Sequence, residues 1–213
     1  MNFQDTQLIG VLARAESTVS SLSDLLGGLV EKFAARGYSL YLVGGSVRDA
    51  LLGRLGNDLD FTTPARPEVV KAILDEWAET VWDTGIDFGT VSAAYKGQQI
   101  EITTFRSDSY DGQSRNPEVV YGDTLEGDLV RRDFKVNAMA IELLADASFT
   151  FHDPLHGLQD VADRVLDTPD KPEISFHDDP LRMLRAARFA SQLEFRVADR
   201  VVDAMRDMAG EIQ

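Results

Sequence analysis

The chain contains no cysteine. Disulfide cross-links, thiolate metal sites and cysteine nucleophiles are therefore excluded at the outset, and no disulfide-linked partner is expected. Histidine is also scarce, with only His152, His156 and His177 present. His152 and His156 have i,i+4 spacing, but Asp153-Pro154 between them argues against one shared helix, so a zinc site is not expected. Basic residues are in the minority: 21 Lys plus Arg stand against 36 Asp plus Glu, a formal net charge of -15. A surface that grips nucleic acid mainly by bulk charge is not expected, although a local basic groove is compatible with this balance. No apolar run approaches the roughly 18 residues that a membrane helix needs, so no membrane partner is expected. The opening MNFQDTQLIG lacks a basic region followed by an apolar core, which argues against a signal peptide, and no serine has the setting of a nucleophile elbow. A cytoplasmic location is the expectation that fits these absences.

What is present describes an ordinary globular chain. It has 213 residues, 44% of them apolar and 27% charged, enough to bury a core as one domain or two small ones. Residues 1–19 read as a leader with an amphipathic patch. Ser20 or Ser21 then caps a helix whose Leu22, Leu25, Leu26, Leu29, Val30 and Phe33 recur at helical spacing up to Gly37. Tyr38–Val43 reads as a buried strand, Val47–Leu52 as a short helix, and Asn57–Thr62 as a half-buried strand. The spacing predicts a helix over 67–81, opened by Pro67, with Val70, Ile73, Leu74, Trp77 and Val81 as its stripe. Two strands, about 87–95 and 99–105, meet at a Lys96-Gly97 turn. Residues 107–124 read as a long loop, a helix is expected to begin within 129–138, and further helices over about 180–193 and 196–209. Strands and helices mix before residues 175–180 and helices alone follow, so a boundary is placed there.

Chemistry concentrates in four clusters. Leu42-Val43-Gly44-Gly45-Ser46-Val47-Arg48-Asp49 couples a strand to a helix start through two glycines. This arrangement lets backbone N–H groups approach an anion, with Arg48 as a nearby charge. Asp58 and Asp60 lie two apart on a strand, so both carboxylates point to one side and repel unless a cation sits between them. Mg²⁺ takes hard oxygen ligands of this kind together with substrate phosphates. Glu101, between the inward Ile100 and Ile102, offers a third carboxylate if its strand neighbours that of Asp58 and Asp60. The set would then form a two-metal clamp. Arg131, Arg132, Asp133 and Asn137 combine guanidinium forks for phosphate with groups that read a hydroxyl. Asp179, Arg182, Arg185 and Arg188 follow along one helix, whose arginines share a face and whose donors and acceptors suit a nucleobase edge. Each cluster also has an ordinary explanation: a tight turn, a solvated strand edge, a charged helix start, a capped and salt-bridged helix. The Asp-x-Asp spelling also occurs in glycosyltransferases that bind a nucleotide sugar through one divalent ion.

Taken together and in this order, the clusters resemble the class II CCA-adding enzyme and bacterial poly(A) polymerase family, within the polymerase-beta-like nucleotidyltransferases. The resemblance spans about residues 38–193. It implies an α+β head, a mixed sheet with flanking helices, over residues 1–176, and the start of an all-helical neck over 177–213. The family's members run longer, so the chain is expected to be a fragment that stops inside the neck. The resemblance implies Asp58, Asp60 and Glu101 as catalytic metal ligands for two Mg²⁺. It further implies Gly44, Gly45, Ser46 and Arg48 at the triphosphate, with Arg131, Arg132, Asp133 and Asn137 in the ribose-reading motif. Asp153, Gly157 and Asp160 match a hinge motif. Asp179 and Arg182 match the pair that reads the base of incoming ATP or CTP, on the helix that also carries Arg185 and Arg188. Two departures stand out: Asp178 replaces the family's usual Glu, and Lys135 a frequent Thr. The implied activity is metal-dependent addition of C and A to a tRNA 3′ end from CTP and ATP. The alternatives are an A-adding or poly(A)-making relative, a nucleotide-sugar glycosyltransferase, or a non-catalytic acidic module.

Overall fold

The computed structural model describes residues 3–109 and 118–212. In chain order the elements begin with α1 (Phe3–Ala35), β1 (Leu40–Val43), α2 (Gly44–Leu51), β2 (Asp58–Thr63), α3 (Pro67–Asp75), β3 (Thr80–Trp82), β4 (Thr90–Tyr95) and β5 (Gln98–Thr104). There follow β6 (Arg106–Ser109), β7 (Glu118–Tyr121), α4 (Leu125–Val130), β8 (Ala140–Leu143), β9 (Phe149–His152) and α5 (Gly157–Asp163). The chain finishes with β10 (Val165–Leu166), α6 (Pro172–Asp178), α7 (Leu181–Leu193), β11 (Arg196–Val197) and α8 (Asp199–Met208). Seven strands form one mixed sheet in the order β3-β4-β5-β2-β1-β8-β9, flanked by helices. This is the α+β arrangement expected. Within this sheet only β2 and β5 pair in parallel, and the other neighbours run antiparallel.

Alternation along the strands gives the sheet two chemically different faces. Leu40, Leu42, Leu59, Phe61, Ile100, Ile102, Ile141 and Leu143 are at most 2% exposed. They pack with Leu26, Leu29 and Phe33 of α1 and Val70, Ile73 and Leu74 of α3 in one core cluster. The opposite face carries Asp60, Glu101 and Thr103, and α4 covers part of it where Leu129 meets Val43 and Ala140.

Several expectations are corrected here. The leader and first helix are one element, α1, because Val11, Ala15, Val19, Leu22, Leu26, Leu29 and Phe33 form a single buried stripe. Ser21 caps nothing; its hydroxyl donates to the Ser17 carbonyl within the helix. Gly28 faces Trp77, where an added Cβ would lie in ordinary contact, 3.5 Å from the indole Nε1. The helix expected over 67–81 stops at Asp75, since Val81 is taken up by β3, which pairs with β4. Within the expected loop 107–124, β6 and β7 pair as an antiparallel ribbon; the part over 110–117 lies outside the described residues. The helix expected to start within 129–138 begins earlier, at Leu125, because Thr124 Oγ1 accepts the Gly127 N–H and fixes the first turn. Among the described residues no helix is long and apolar enough to cross a membrane.

The C-terminal helices join the rest at two levels. Ala186, Phe189 and Leu193 of α7 belong to the main core, while Phe176, Met183, Val201 and Ala204 tie α6, α7 and α8 into a small core of their own. The residue pair 176/177, where the head was expected to give way to the neck, falls inside α6. β10 and β11 pair in parallel beside this junction, and Asp167 accepts from both Lys135 and Arg200 at 2.7 Å.

Two predictions concern α5. A Cβ built on Gly157 would lie 2.2 Å from the Lys135 carbonyl oxygen, so backbone meets backbone and neither can yield as a side chain would. Gly157→Ala is expected to destabilise the chain by about 1–3 kcal/mol, or to stop it folding, in urea unfolding. Asp160 lies one turn further on. Burial pushes its carboxyl up to about 6; Lys135 opposes the shift, and Asp167, Asp163 and Asp153 add to it. Its folded pKa therefore exceeds its unfolded one. The stability it contributes is fully present below the ordinary value of 3.8 and is lost as pH rises through about 6. Asp160→Asn should gain in melting temperature over the unsubstituted chain as pH is raised across that window. No relative gain above it would refute the assignment.

Candidate active site

The carboxylate cluster is assembled by strand register. Ser46, near the start of α2, accepts the Asp60 N–H on its hydroxyl at 2.9 Å and donates to the Asp58 carbonyl at 3.4 Å. That side chain pins the start of β2 against α2. Across the parallel β2–β5 pair, Asp60 is the direct partner of Glu101, so two carboxylates from different strands share one face. Both line a cavity of about 420 Å³. Asp58, at the first position of β2, does not line it, although both aspartates reach solvent. The Asp60 carboxyl is pushed above its usual range by burial and by the negative charges of Glu101 and Asp58, against the pull of Arg132 and Arg48. A divalent cation relieves this kind of repulsion, and the donors are hard oxygens, so the pair fits Mg²⁺ completed by substrate phosphates. Among the described residues no three acidic or histidine side chains stand close enough to hold an ion by themselves. Asp58 is therefore a neighbour of the pair, without being a third member of a ready cluster.

A cationic wall faces these carboxylates. Gly44 has φ +65°, which favours glycine, and a Cβ there would lie 2.8 Å from Arg132 Nη1. The turn thus lets a guanidinium lie against the backbone that opens α2. Arg131 and Arg132 are both held by Asp128, which is 1% exposed; Oδ1 accepts from Arg131 Nη2 at 3.0 Å and Oδ2 from Arg132 Nη2 at 2.9 Å. The Arg106 N–H, at the start of β6, also donates to Asp128 Oδ1. Burial alone would push the Asp128 carboxyl up, but Arg132 and Arg131 outweigh it and hold the group below its usual range. Arg132 lines the cavity, and its Nε is buried with no hydrogen-bond partner among the described residues.

A second network crosses the cavity from α2 to α7. Arg48 donates to Asp49 on one side and to Asn137 Oδ1, at 2.7 Å, on the other. Asn137 donates to Asp133 Oδ1 at 3.0 Å, and Asp133 Oδ2 accepts from Arg185 Nε at 2.8 Å. Arg188 also lines the cavity and makes no ion pair among the described residues.

Gly44, Gly45, Arg48, Asp60, Glu101, Arg131, Arg132, Asp133, Asn137, Arg185 and Arg188 thus surround one space. Ser46 stands behind it as a brace. Asp179 and Arg182 are not in it. Asp179 Oδ1 accepts the Leu181 N–H, the first of α7, at 3.0 Å. Arg182 donates from Nη1 to Ser175 Oγ at 2.8 Å and from Nη2 to the Arg131 carbonyl at 3.0 Å. It lines an adjoining hollow of about 170 Å³ that shares Arg131 and Arg132 with the main cavity. Thr103, Arg106 and Phe189 line the cavity, and Asp128 and Ser175 hold arginines of it and of the adjoining hollow, in roles that their sequence patterns do not announce. Thr103 was open to inference, being two residues from Glu101 on the same strand face. Nothing in the local sequence sets Ser175 apart.

Residues 40–167 match the family described as the poly A polymerase head domain. Over 172 residues the chain is 42% identical to the CCA-adding enzyme of Lactobacillus helveticus, an alignment covering 80% of this chain and 41% of that protein. The crystal structure of the Bacillus stearothermophilus CCA-adding enzyme in complex with CTP superposes with a TM-score of 0.72 at 37% identity, covering 86% of this chain and 42% of that one. A tRNA nucleotidyltransferase complexed with a primer tRNA and an incoming ATP analog superposes with a TM-score of 0.72 at 31% identity, covering 85% and 50%. The chain therefore spans about half the length, or less, of the relatives it matches.

The Asp128 site yields a prediction of its own. Removing the carboxylate takes the counter-charge from the largely buried Arg132 and one ion-pair partner from Arg131, and breaking such a buried pair costs about 3–5 kcal/mol. Asp128→Ala should lower the stability measured by denaturant titration by that amount. A loss below about 1 kcal/mol would show that the arginines find other partners.

Proposed function

The chain belongs to the poly A polymerase head-domain family, and from that premise we propose that it carries the catalytic head of a CCA-adding tRNA nucleotidyltransferase. In this reading residues 1–176 form the head and 177–213 the beginning of a helical neck. The enzyme transfers C and A from CTP and ATP to a tRNA 3′ end, in the cytoplasm and without a membrane partner. The observation that carries the reading is the Asp60–Glu101 pair, set on one strand ladder across a single cavity from the Gly44-Gly45 helix start and the arginine wall. Relatives solved with CTP, and with primer tRNA and an ATP analog, support it. No observation favours the A-adding, glycosyltransferase or non-catalytic readings.

Each group has a task that its surroundings suit. The N–H groups at Gly44 and Gly45 open α2 and receive the triphosphate, with Arg48, Arg132, Arg185 and Arg188 as its counter-charge. Asp133 and Asn137, already polarised by their links to Arg185 and Arg48, present a hydroxyl-reading surface for ribose. Asp60 and Glu101, with Asp58 beside them, would hold Mg²⁺, two ions in our reading. When bound, the metal lowers the pKa of the attacking 3′-hydroxyl and offsets charge on the departing pyrophosphate. Base choice is assigned to Asp179 and Arg182. Ser175 and the Arg131 carbonyl orient the Arg182 guanidinium while leaving further N–H donors free for a base edge. Catalysis on this plan is positioning and charge stabilisation, with no covalent intermediate on the protein.

Asp60→Ala and Glu101→Ala should each fold and lose transfer by about a thousandfold or more, equivalent to about 4 kcal/mol of transition-state stabilisation. Radiolabelled CMP and AMP incorporation into tRNA lacking its 3′ end measures this, and substantial transfer by a folded Asp60→Ala protein would overturn the assignment. Arg182→Ala should broaden base choice. An unchanged ratio of CTP and ATP to UTP and GTP incorporation would remove Arg182 from the base-reading role.

A further inference from the structure

We propose that Phe189 is a positioning residue whose ring gathers the phosphate-binding arginines of the cavity without neutralising them. The proposal rests on the reading of that cavity as a triphosphate site. Three guanidinium carbons lie near the Phe189 ring centroid: Arg188 at 4.9 Å, Arg185 at 5.2 Å and Arg48 at 5.3 Å. All are within the roughly 6 Å over which a ring's negative face attracts a cation. Arg185 and Arg188 come from α7, Arg48 from α2, so a single side chain joins two elements far apart in sequence. The ring itself is fixed. It is 7% exposed, and the fully buried Phe134 meets it edge-on at 5.9 Å and 89°.

The physical reason for an aromatic side chain here is the sign of its field. Three cations in one wall repel one another, and something must hold them together before an anion arrives. Acidic groups already serve two of them: Asp49 binds Arg48, and Asp133 binds Arg185 at 2.6 Å. A further carboxylate facing the cavity would bind the third, but it would also compete with phosphate for the same N–H donors. A phenyl ring attracts guanidinium through its quadrupole while carrying no net charge and occupying none of those donors. Arg188, exposed and without an ion pair among the described residues, depends most on this contact. Phe189 therefore acts through the arginines and touches no reacting atom.

The test separates the ring's electrostatics from its bulk. Phenylalanine at 189 is replaced in the whole chain by analogues carrying one, two and three fluorines, which keep the shape and progressively withdraw the negative face, and separately by leucine. Inorganic tripolyphosphate is titrated calorimetrically into each protein, with the melting temperature measured in parallel. The expected result is a graded weakening of tripolyphosphate binding, about threefold or more for the trifluoro ring and about tenfold for Phe189→Leu, with the melting temperature of the fluorinated proteins unchanged. Should Phe189→Leu fail to fold, the fluorinated series decides alone. Affinity independent of fluorination would reduce Phe189 to a packing residue and overturn the proposal, as would failure of the unsubstituted chain to bind tripolyphosphate. CMP and AMP incorporation by that same unsubstituted chain reports separately on nucleotidyl transfer, so the two readings can fail independently.

Discussion

The register of β2 between β1 and β5 is the constraint on which the rest of this structure depends. Because side chains alternate strictly along a strand, a slip of one residue would turn Leu59 and Phe61 outward and bury Asp58 and Asp60 in the core. The apolar partners Ile100 and Ile102 on β5, and Leu42 on β1, make that slip prohibitive, since every one of them is essentially fully buried. The same register that buries Phe61 beside Ile102 places Asp60 beside Glu101. Ser46 adds a polar lock from α2, holding the N–H of Asp60 and the carbonyl of Asp58. Core packing and site assembly are thus one event: the hydrophobic face supplies the energy and the opposite face receives the geometry.

Charge is organised on that second face in a way the bulk composition conceals. The chain is strongly acidic, yet the cavity wall opposite the carboxylates is built from arginines. Carboxylates hold four of them and an aromatic ring the fifth. Arg131 and Arg132 share the buried Asp128, Arg48 links Asp49 to Asn137, Arg185 reaches Asp133, and Arg188 lies against Phe189. A buried carboxylate that anchors two arginines must be ionised for the wall to stand, and its low pKa reflects that requirement. On the other side, burial and like charge raise Asp60. At Asp128 the arginines outweigh burial, whereas at Asp60 burial and the neighbouring carboxylates outweigh the arginines, which separates a structural acid from one suited to a metal.

Helix α7 connects these halves. Its Phe189 and Leu193 complete the main core, its Met183 belongs to the smaller core with α6 and α8, and its Arg185 and Arg188 face the cavity. The adjoining hollow that contains Arg182 shares Arg131 and Arg132 with that cavity, so phosphate-facing and base-facing groups are linked through one short segment after α4. A shift of α7 would move both together.

Local chemistry determined the existence of β1 and β2 to within two residues of their ends, the glycine-mediated start of α2, and the identities of the carboxylates and arginines. Short-range periodicity and residue type carry that information directly. Continuity of α1 was also written in its apolar spacing, although Ser21, bonded back to its own helix, imitated a cap. The end of α3 at Asp75 and the β6–β7 ribbon could not be read locally, because a strand that pairs with a distant partner need carry no pattern of its own. Tertiary structure alone decided that Glu101 is the ladder partner of Asp60 while Asp58 stays at the margin. It alone directed Arg182 to Ser175 and the Arg131 carbonyl, and gathered three arginines at Phe189. The sequence by itself determines which groups the chain owns and which face of each element they occupy. Which groups meet is decided by pairings and packing between residues tens of positions apart, whose energies depend on the whole core and leave no mark on either segment alone.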